Sequence, residues 1–345
     1  MSPSSPANRP NPGSARGGDW PKVRLHVVSG KGGTGKTTVA AALALALASG
    51  GRRVLLMEVE GRQGIAQLFD TPPLPYEERL VAVAPDGGEV FALAVDPEAA
   101  LLEYLEMFYN MRRAGSALRK LGAIDFATTI APGVRDVLLT GKAIEAVKRG
   151  ERAGKPAYDD IVMDAPPTGR IARFLNVSSE VAGLAKVGPI KSQSDSVMAV
   201  IRSPRTAVHL VTLLEEMPVQ ETLDGIQELH ESRLPVGAVI VNMMRGPRLT
   251  PDGVAAALDG TLDFDEVKAG VEAARLPRKL NTTTVSKVLM AEAAEHAQRI
   301  ELERIERERL DTTDQPIYEL PEMSGGIDLG ALYAMSRMLR DQGAV

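Results

Sequence analysis

A glycine-rich stretch near the start of the chain carries residues suited to holding phosphate groups. Residues 27–50 read VVSGKGGTGKTTVAAALALALASG, so a cluster of glycines and lysines separates an apolar run from an alanine- and leucine-rich run. Within it, Gly30, Gly35, Lys36 and Thr37 follow the spacing Gly-x-x-x-x-Gly-Lys-Thr, which is the pattern of a phosphate-binding loop between a strand and a helix. Spacing and context together predict a nucleoside triphosphate as the ligand.

The chemistry expected of this loop follows from its residue types. Glycines let backbone N–H groups converge on phosphate oxygens, and the helix N-terminus adds the positive end of its dipole. Lys36 is expected to reach the β- and γ-phosphates, and the Thr37 hydroxyl to ligate Mg²⁺. The residues expected to contact the nucleotide here are Gly30, Gly32, Gly33, Thr34, Gly35, Lys36, Thr37 and Thr38. The alternative is a glycine-rich turn without a ligand.

A second lysine, Lys31, is not needed by a loop that holds only its own phosphates. The form Lys-Gly-Gly-x-Gly-Lys-Thr resembles the deviant phosphate loop of the family that includes the arsenite-pump ATPases, the tail-anchored-protein targeting ATPases, and the partition and septum-site ATPases. The resemblance implies ATP and Mg²⁺ as cofactors and a face-to-face dimer in which Lys31 crosses the interface to the partner's nucleotide. The alternative is a solvated loop lysine with a local role.

Three further segments resemble the arsenite-pump and tail-anchored-targeting branch, and within it the paired anion-transporting-type ATPases of actinobacteria. They are MDAPPTGRIARFL (163–175), EEMPVQET (215–222) and APGVRD (131–136). The resemblance implies that Asp164, at the end of a predicted strand, is the carboxylate that holds the water shell of Mg²⁺. It also implies that Thr168 and Gly169 form a switch loop near the γ-phosphate.

The adenine base is expected near two other segments. The resemblance places an adenine-reading asparagine at Asn242, which closes the run VGAVIVN, and an adenine-covering segment at Leu320 and Pro321. A side-chain amide has both donors and an acceptor for a base edge. An asparagine at the end of a strand is also a common turn former, so this structural role stays open for Asn242.

Two glutamates depart from the family pattern. Where the family has aspartates after the second strand, this chain reads EVEGRQG, with Glu58 and Glu60. Glu60 aligns with the water-positioning residue. Its extra methylene moves the carboxylate by about 1 Å, and such a misplacement can cost on the order of a hundredfold in rate. Slow hydrolysis is therefore expected. Glu58 is interpreted as a structural or a switch-supporting carboxylate.

The chain contains no cysteine. This excludes disulfides, a cysteine-clamped zinc dimer like that of the tail-anchored-targeting branch, and a cysteine trio for arsenite. That branch carries its client in a methionine-rich helical groove. Met107, Phe108, Met111 and Met198 fall in predicted helices here, and at helical spacing such residues belong to a core more often than to a groove.

The elements that must position these residues are predicted from hydrophobic patterns. Short apolar runs alternate with helical patterns, which indicates a parallel sheet with helices on both faces. The strand segments are VRLHVVS from Val23, RVLLMEV from Arg53, VFALAV from Val90, DIVMDA from Asp160, AVHLVTL from Ala207 and VGAVIVN from Val236. Helices are clearest at 36–49, 219–229 and 284–310. The predicted fold is an α/β P-loop NTPase of the deviant loop class.

One domain is expected after a short tail. Residues 1–20 are rich in proline, serine and glycine and are predicted to be disordered, and residues 21–345 to form a single ATPase domain. Residues from about 97–158 and 176–205 have helical spacing without a strand pattern, so they are predicted to form a helical subdomain inserted in the sheet domain.

Composition narrows the class of partner. Lysine and arginine total 40 against 45 aspartates and glutamates, a net charge of −5, which gives no general footprint for nucleic acid or anionic lipid. The tail lacks the apolar centre of a secretion signal, and the longest apolar run, 39–48, is too short to span a bilayer. A cytoplasmic protein is expected, with any membrane contact peripheral or through a partner.

Two functions from different classes are consistent with these residues. The first is a Mg²⁺-dependent ATPase dimer, homomeric or paired with a related subunit, whose nucleotide state is transmitted to a hydrophobic client or a membrane partner. The second is an ATP-binding scaffold subunit that hydrolyses little by itself and works in a heterodimer. A DNA-coating partition ATPase is disfavoured by the acidic balance, and a small-substrate kinase by Lys31 and the segment 164–173.

Overall fold

The computed structural model of the chain describes residues 18–109, 133–154, 156–184, 189–275, 277 and 280–345. Eight strands in these residues form one sheet. The strands are β1 (Leu25–Gly30), β2 (Arg53–Glu58), β3 (Arg79–Val83), β4 (Glu89–Ala94), β5 (Asp160–Asp164), β6 (Thr206–Thr212), β7 (Val236–Met244) and β8 (Ile317–Pro321). Their spatial order is β3-β4-β2-β5-β1-β6-β7-β8, and every neighbouring pair is parallel except β3 with β4.

Helices cover both faces of this sheet. They are α1 (Lys36–Ala48), α2 (Gly64–Leu68), α3 (Pro97–Tyr109), α4 (Val134–Lys148), α5 (Thr168–Leu184), α6 (Pro189–Ile201), α7 (Glu216–Glu231), α8 (Pro251–Leu258), α9 (Phe264–Ala273), α10 (Thr282–Leu310) and α11 (Leu329–Asp341). The buried residues form two apolar clusters, one on each side of the sheet. The predicted α/β class, a largely parallel sheet between helices, is confirmed. None of the helices in the described ranges combines the length and the apolar character needed to cross a membrane.

The sheet brings the carboxyl ends of β1, β2 and β5 together. In the ladders, Val28 of β1 and Glu58 of β2 are both neighbours of Asp164 on β5. Because parallel strands end at the same edge of a sheet, the loops after these three strands share one surface. These strands are buried on both faces, as their near-continuous apolar runs predict.

Helix α1 is the most deeply buried helix at this edge. Every residue from Val39 to Ala48 is buried, because the sheet covers one side of the helix and α11 covers the other. This burial on all sides is consistent with a helix sequence that is apolar all round. The predicted helix over 36–49 is confirmed. Helices α7 and α10 contain the other predicted segments and extend a few residues beyond them.

Two strands escaped prediction. Strand β3 is a half-exposed edge strand that runs antiparallel and leaves Leu80 and Val83 in solvent. Strand β8, with the sequence IYELP, alternates buried residues with half-buried or exposed ones over only five positions. Both take their conformation from pairing with a longer neighbour, and a short half-buried segment carries little signal of this by itself.

The predicted tail and subdomain are described only in part. Trp20 donates to the Tyr318 hydroxyl at 3.2 Å and packs against the core, and the Asp19 backbone bonds to Gly343, so these residues belong to the folded domain rather than to the tail. Helices α3, α4 and α6 lie in the region predicted to be helical, and α5, which begins at Thr168, enters it at residue 176. Met111 lies outside the described residues, as do the side chains of Met107 and Phe108, whereas Met198 is buried in the core. The inserted subdomain stays a prediction.

Candidate functional site

The loop from Gly30 to Gly35 connects β1 to α1 and depends on glycine at two positions. Gly30 has φ +155°, and a Cβ there would lie 2.2 Å from the Val211 carbonyl oxygen on β6. Gly35 caps α1 with φ +82°, and a Cβ there would lie 2.5 Å from Nδ2 of Asn242. Both positions therefore combine a left-handed backbone with a close neighbour, which only glycine tolerates without strain.

The tip of the loop is held by its own backbone. The N–H of Thr34 and its hydroxyl both donate to the carbonyl oxygen of Lys31, at 3.3 and 2.9 Å. Gly32 and Gly33 are exposed, whereas Lys36, Thr37 and Thr38 form the half-buried first turn of α1. This turn contains no acidic residue of its own, and the positive end of the helix dipole faces the loop.

Thr37 and Asp164 meet at the carboxyl ends of β1 and β5. The Thr37 hydroxyl donates to Oδ2 of Asp164 at 2.7 Å. Burial raises the pKa of the Asp164 carboxyl to about 6, while the Thr37 hydrogen bond and the charge of Lys36 act in the opposite direction. Glu58 and Glu60 raise the same pKa through their negative charges. Asp164 is thus a buried carboxylate whose charged form a nearby cation would stabilise.

The two glutamates after β2 differ in their surroundings. Glu58 is only 1% exposed. Its Oε2 accepts from the backbone N–H of Ile65 at 3.2 Å, whereas its Oε1 has no hydrogen-bond partner in the part of the chain described. Glu60 lies in the following loop, where its side chain is 22% exposed and forms an ion pair with Arg62 at 3.6 Å. Glu58 is therefore anchored to α2, and Glu60 faces the solvent side of the site.

The donor set at this edge fits a magnesium ion. Mg²⁺ prefers oxygen ligands, and in phosphate-transfer sites it takes few from protein, with waters and substrate phosphates completing the shell. Thr37 and Asp164 offer a hydroxyl and a carboxylate side by side. Glu58, the neighbour of Asp164 across the strand pair, is buried, and its Oε1 has no hydrogen-bond partner among the described residues. Within the described ranges no three histidine, aspartate or glutamate side chains gather into a metal-binding group. The hydroxyl of Thr37 and the carboxylate of Asp164 fit the small protein share of a magnesium ion that substrate phosphates also hold.

The ion-pair partner of Lys31 is a residue of α7, not a residue of the phosphate-binding loop or of β5. The Nζ of Lys31 lies 3.7 Å from Oε2 of Glu221 on α7, and both side chains are about one third exposed.

Thr168, which begins α5 four residues after Asp164, is buried, and its hydroxyl has no hydrogen-bond partner among the residues described. The exposed Gly169 follows it.

Asn242 lies directly beneath the phosphate-binding loop. Its Nδ2 donates to the carbonyl oxygen of Thr34 at 2.9 Å, and the residue is 4% exposed. Leu320 is fully buried in the core, whereas Pro321 is exposed at the end of β8. The structure thus brings Asn242 to the loop and leaves only Pro321 of the predicted adenine-covering pair at the surface. The role of these residues toward adenine stays a prediction.

Several contacts at the site were missed by sequence reasoning. The Ser29 hydroxyl donates to the Pro166 carbonyl oxygen at 2.6 Å and so ties β1 to the segment after β5. Glu221 pairs with Lys31, and Gly225 makes room for Thr168. A glycine inside the otherwise regular helix sequence of α7 signals a close approach, which could have identified Gly225. Nothing local marks Ser29 or Glu221.

Comparison with known proteins gives one family. The family model of anion-transporting ATPases matches residues 23–204. The ATPase BagA of Mycobacterium tuberculosis is 56% identical over 328 residues, which cover 94% of this chain and 96% of that protein. A putative ATPase of Mycobacterium bovis has the same identity and coverage. The ATPase GET3 of Kluyveromyces lactis is 25% identical over 251 residues, which cover 63% of this chain and 71% of that protein.

Proposed function

The chain belongs to the anion-transporting ATPase family, and we propose that it is a Mg²⁺-dependent ATPase that acts as a nucleotide-controlled dimeric switch. The observation that carries this proposal is the hydrogen bond between Thr37 and Asp164 at the end of the phosphate-binding loop. It joins a hydroxyl and a buried carboxylate, the two protein ligands that a P-loop site uses for its metal, at the N-terminus of a buried helix.

Each residue of the site has a defined task in this proposal. The loop N–H groups and Lys36 hold the β- and γ-phosphates, and Thr37 and Asp164 hold the metal directly or through its waters. Mg²⁺ would neutralise charge that develops on the phosphate oxygens. Glu60, at the open side of the site, orients the attacking water. Glu58 supports the loop that carries Glu60, because its carboxylate is bonded to Ile65 at the far end of that loop.

The switch part of the proposal involves Lys31 and Thr168. Lys31 would contact the nucleotide of the partner subunit, so that dimer closure and hydrolysis depend on each other. The Thr168 hydroxyl, which has no hydrogen-bond partner among the described residues, could donate to a γ-phosphate, and its helix α5 extends into the predicted helical segment 176–205. These segments would transmit the nucleotide state to a hydrophobic client or a membrane partner. Asn242 and Pro321 would contact the adenine.

A second candidate is an ATP-binding scaffold subunit that works beside a related ATPase. One observation favours it: Glu60 is a glutamate rather than an aspartate, and it is ion-paired with Arg62 in this structure. A carboxylate in that pair is less available to orient a water. Turnover of the purified chain, alone and mixed with a related subunit, separates the two candidates.

The test of the proposal is the variant Lys36→Ala. Removing this charge should weaken binding of Mg²⁺-ATP on the order of a hundredfold or more, since the β- and γ-phosphates lose the lysine ammonium that holds them. Isothermal titration calorimetry measures the affinity, and phosphate release measures turnover. The matched control is Lys287→Ala on the exposed surface of α10, which should change neither. Nucleotide affinity that is equal in Lys36→Ala and in the native chain would remove the basis of the proposal.

A further inference from the structure

Among the residues that the structure describes, one side chain, that of Glu221, pairs with the Lys31 ammonium. The Nζ of Lys31 is 3.7 Å from Oε2 of Glu221, and each of the two side chains is about one third exposed. The Lys31 backbone is fixed, because its carbonyl oxygen accepts two hydrogen bonds from Thr34. The side chain can therefore move between partners while the loop stays in place.

The helix that carries Glu221 also contacts the segment after β5. Glu221 and Gly225 are four residues apart on α7 and so share one face of that helix. A Cβ at Gly225 would lie 2.3 Å from Cγ2 of Thr168, so the helix packs directly against the start of α5. One face of α7 thus touches both the lysine of the loop and the threonine whose hydroxyl has no partner in the described chain.

We propose that Glu221 is a positioning residue that retains Lys31 on its own subunit until the γ-phosphate of a partner subunit's nucleotide replaces it. This inference rests on the proposed function, since the competing anion belongs to the partner. A lysine ammonium can satisfy a carboxylate or a phosphate, and an ion pair that is one third exposed is weak enough to exchange. If α7 moves when the ion pair opens, the contact between Gly225 and Thr168 would transmit this movement to the start of α5.

The experiment measures ATP-dependent self-association of the full chain. With Mg²⁺ and a non-hydrolysable ATP analogue, sedimentation velocity gives the dimer dissociation constant of the native chain and of Glu221→Gln. Glu221→Gln should dimerise about two- to fivefold more tightly at low salt, the range that a part-exposed ion pair supports. The matched control is Glu228→Gln, at an exposed position two turns further along α7, which should leave the constant unchanged.

Two further readouts separate positioning from a structural role. The gain in Glu221→Gln should shrink as salt is raised, because added ions screen the Lys31–Glu221 pair. In a Lys31→Ala background, Glu221→Gln should have no effect, since Glu221 acts only through Lys31. Circular dichroism of each variant checks that the fold is retained, and calorimetry checks that the nucleotide affinity of the single chain is unchanged.

Three outcomes would overturn the inference. An unchanged dimer constant in Glu221→Gln, while Lys31→Ala weakens the dimer, would refute the role of Glu221 and leave the proposed function intact. The same gain from Glu221→Gln with and without Lys31 would show that Glu221 repels the partner directly. A native chain that binds the analogue but does not self-associate would refute the homodimeric form of the switch, and this inference with it.

Discussion

Three carboxylates share the neighbourhood of one threonine hydroxyl, and their burial separates their tasks. Asp164 is bonded to Thr37, and burial raises its pKa to about 6, so a nearby cation would stabilise its charged form. Glu58 is fully buried and anchored to the backbone of Ile65. Only Glu60 reaches the solvent side, where a water molecule could enter. This difference in burial supports the proposed water-positioning role of Glu60 over the same role for Glu58.

At this scale, Glu60→Gln is expected to lower turnover on the order of a hundredfold while Mg²⁺-ATP affinity stays nearly constant. A group that orients the attacking water stabilises the transition state more than the bound nucleotide. Phosphate release under saturating ATP measures turnover, and calorimetry measures affinity. Glu77→Gln, an exposed carboxylate outside the site, is the control. Unchanged turnover would transfer the role to another group, with Glu58 the next to test.

At the scale of elements, the strand pair β1 and β6 contains a buried pair of histidines. The Nδ1 of His209 accepts from the backbone N–H of Ala238 at 3.1 Å, so the proton of a neutral His209 must be on Nε2. That nitrogen lies 3.0 Å from Nδ1 of His26, which then accepts. The chain of hydrogen bonds links three adjacent strands, β1, β6 and β7, and it requires His209 to be neutral.

This arrangement predicts that the free energy of unfolding decreases as the pH falls. Burial lowers the pKa of His209 to about 4, from an ordinary value near 6.5 in the unfolded chain. Between these two values the unfolded chain binds more protons, so this residue's contribution to stability is complete above pH 6.5 and is lost as the pH falls toward 4. The contribution is about 3 kcal/mol by linkage.

The measurement is urea unfolding at several pH values between 7 and 4. His209→Asn keeps an acceptor for Ala238 but does not titrate, so its stability should fall less steeply with decreasing pH, although the smaller side chain lowers stability at pH 7. His230→Gln on the exposed face of α7 should follow the native chain. An equally steep fall in His209→Asn would assign the acid sensitivity to other groups.

At the scale of the whole molecule, the proposed function requires two subunits. The site has its own lysine in Lys36, whereas Lys31 lies at one third exposure on the same surface, held to α7 rather than to the site. If the two lysines serve different nucleotides, their substitutions should fail in different ways. Lys36→Ala should lose nucleotide binding, and Lys31→Ala should bind nucleotide but lose dimerisation and hydrolysis.

Mixing the two inactive variants tests this directly. In a mixed dimer, the Lys36→Ala subunit offers an intact Lys31 to the ATP of the Lys31→Ala subunit, which completes one site. Part of the native activity should return, up to about one quarter if equal amounts assemble at random, because half of the dimers are then mixed and one of two sites is complete in each. Sedimentation confirms that dimers form. Mixed dimers that remain as inactive as either variant alone would contradict the role of Lys31 across the interface.

The sequence by itself determined the local parts of this protein. A strand, a glycine-rich loop and an apolar helix follow one another within 24 residues. Their hydrophobic periodicity and glycine spacing predicted all three, because these patterns depend only on residues that are close together in the sequence. The alternation of apolar strands with helices likewise determined the α/β class, since strands buried on both faces are apolar throughout. The segments β3 and β8 were not recognised, because a short half-exposed strand depends on its partner.

Only the tertiary structure decided which residues meet. Thr37 and Asp164 are 127 positions apart and Asn242 and Thr34 are 208 apart, yet both pairs share hydrogen bonds. Thr37 and Asp164 meet because β5, and not β2, which follows β1 in the chain, is the neighbour of β1 in the sheet. Asn242 and Thr34 meet because β7 ends next to the phosphate-binding loop. Strand order follows from packing helices on both faces of the whole sheet, a sum of long-range contacts that no local pattern encodes. The pairing of Lys31 with Glu221 has the same origin.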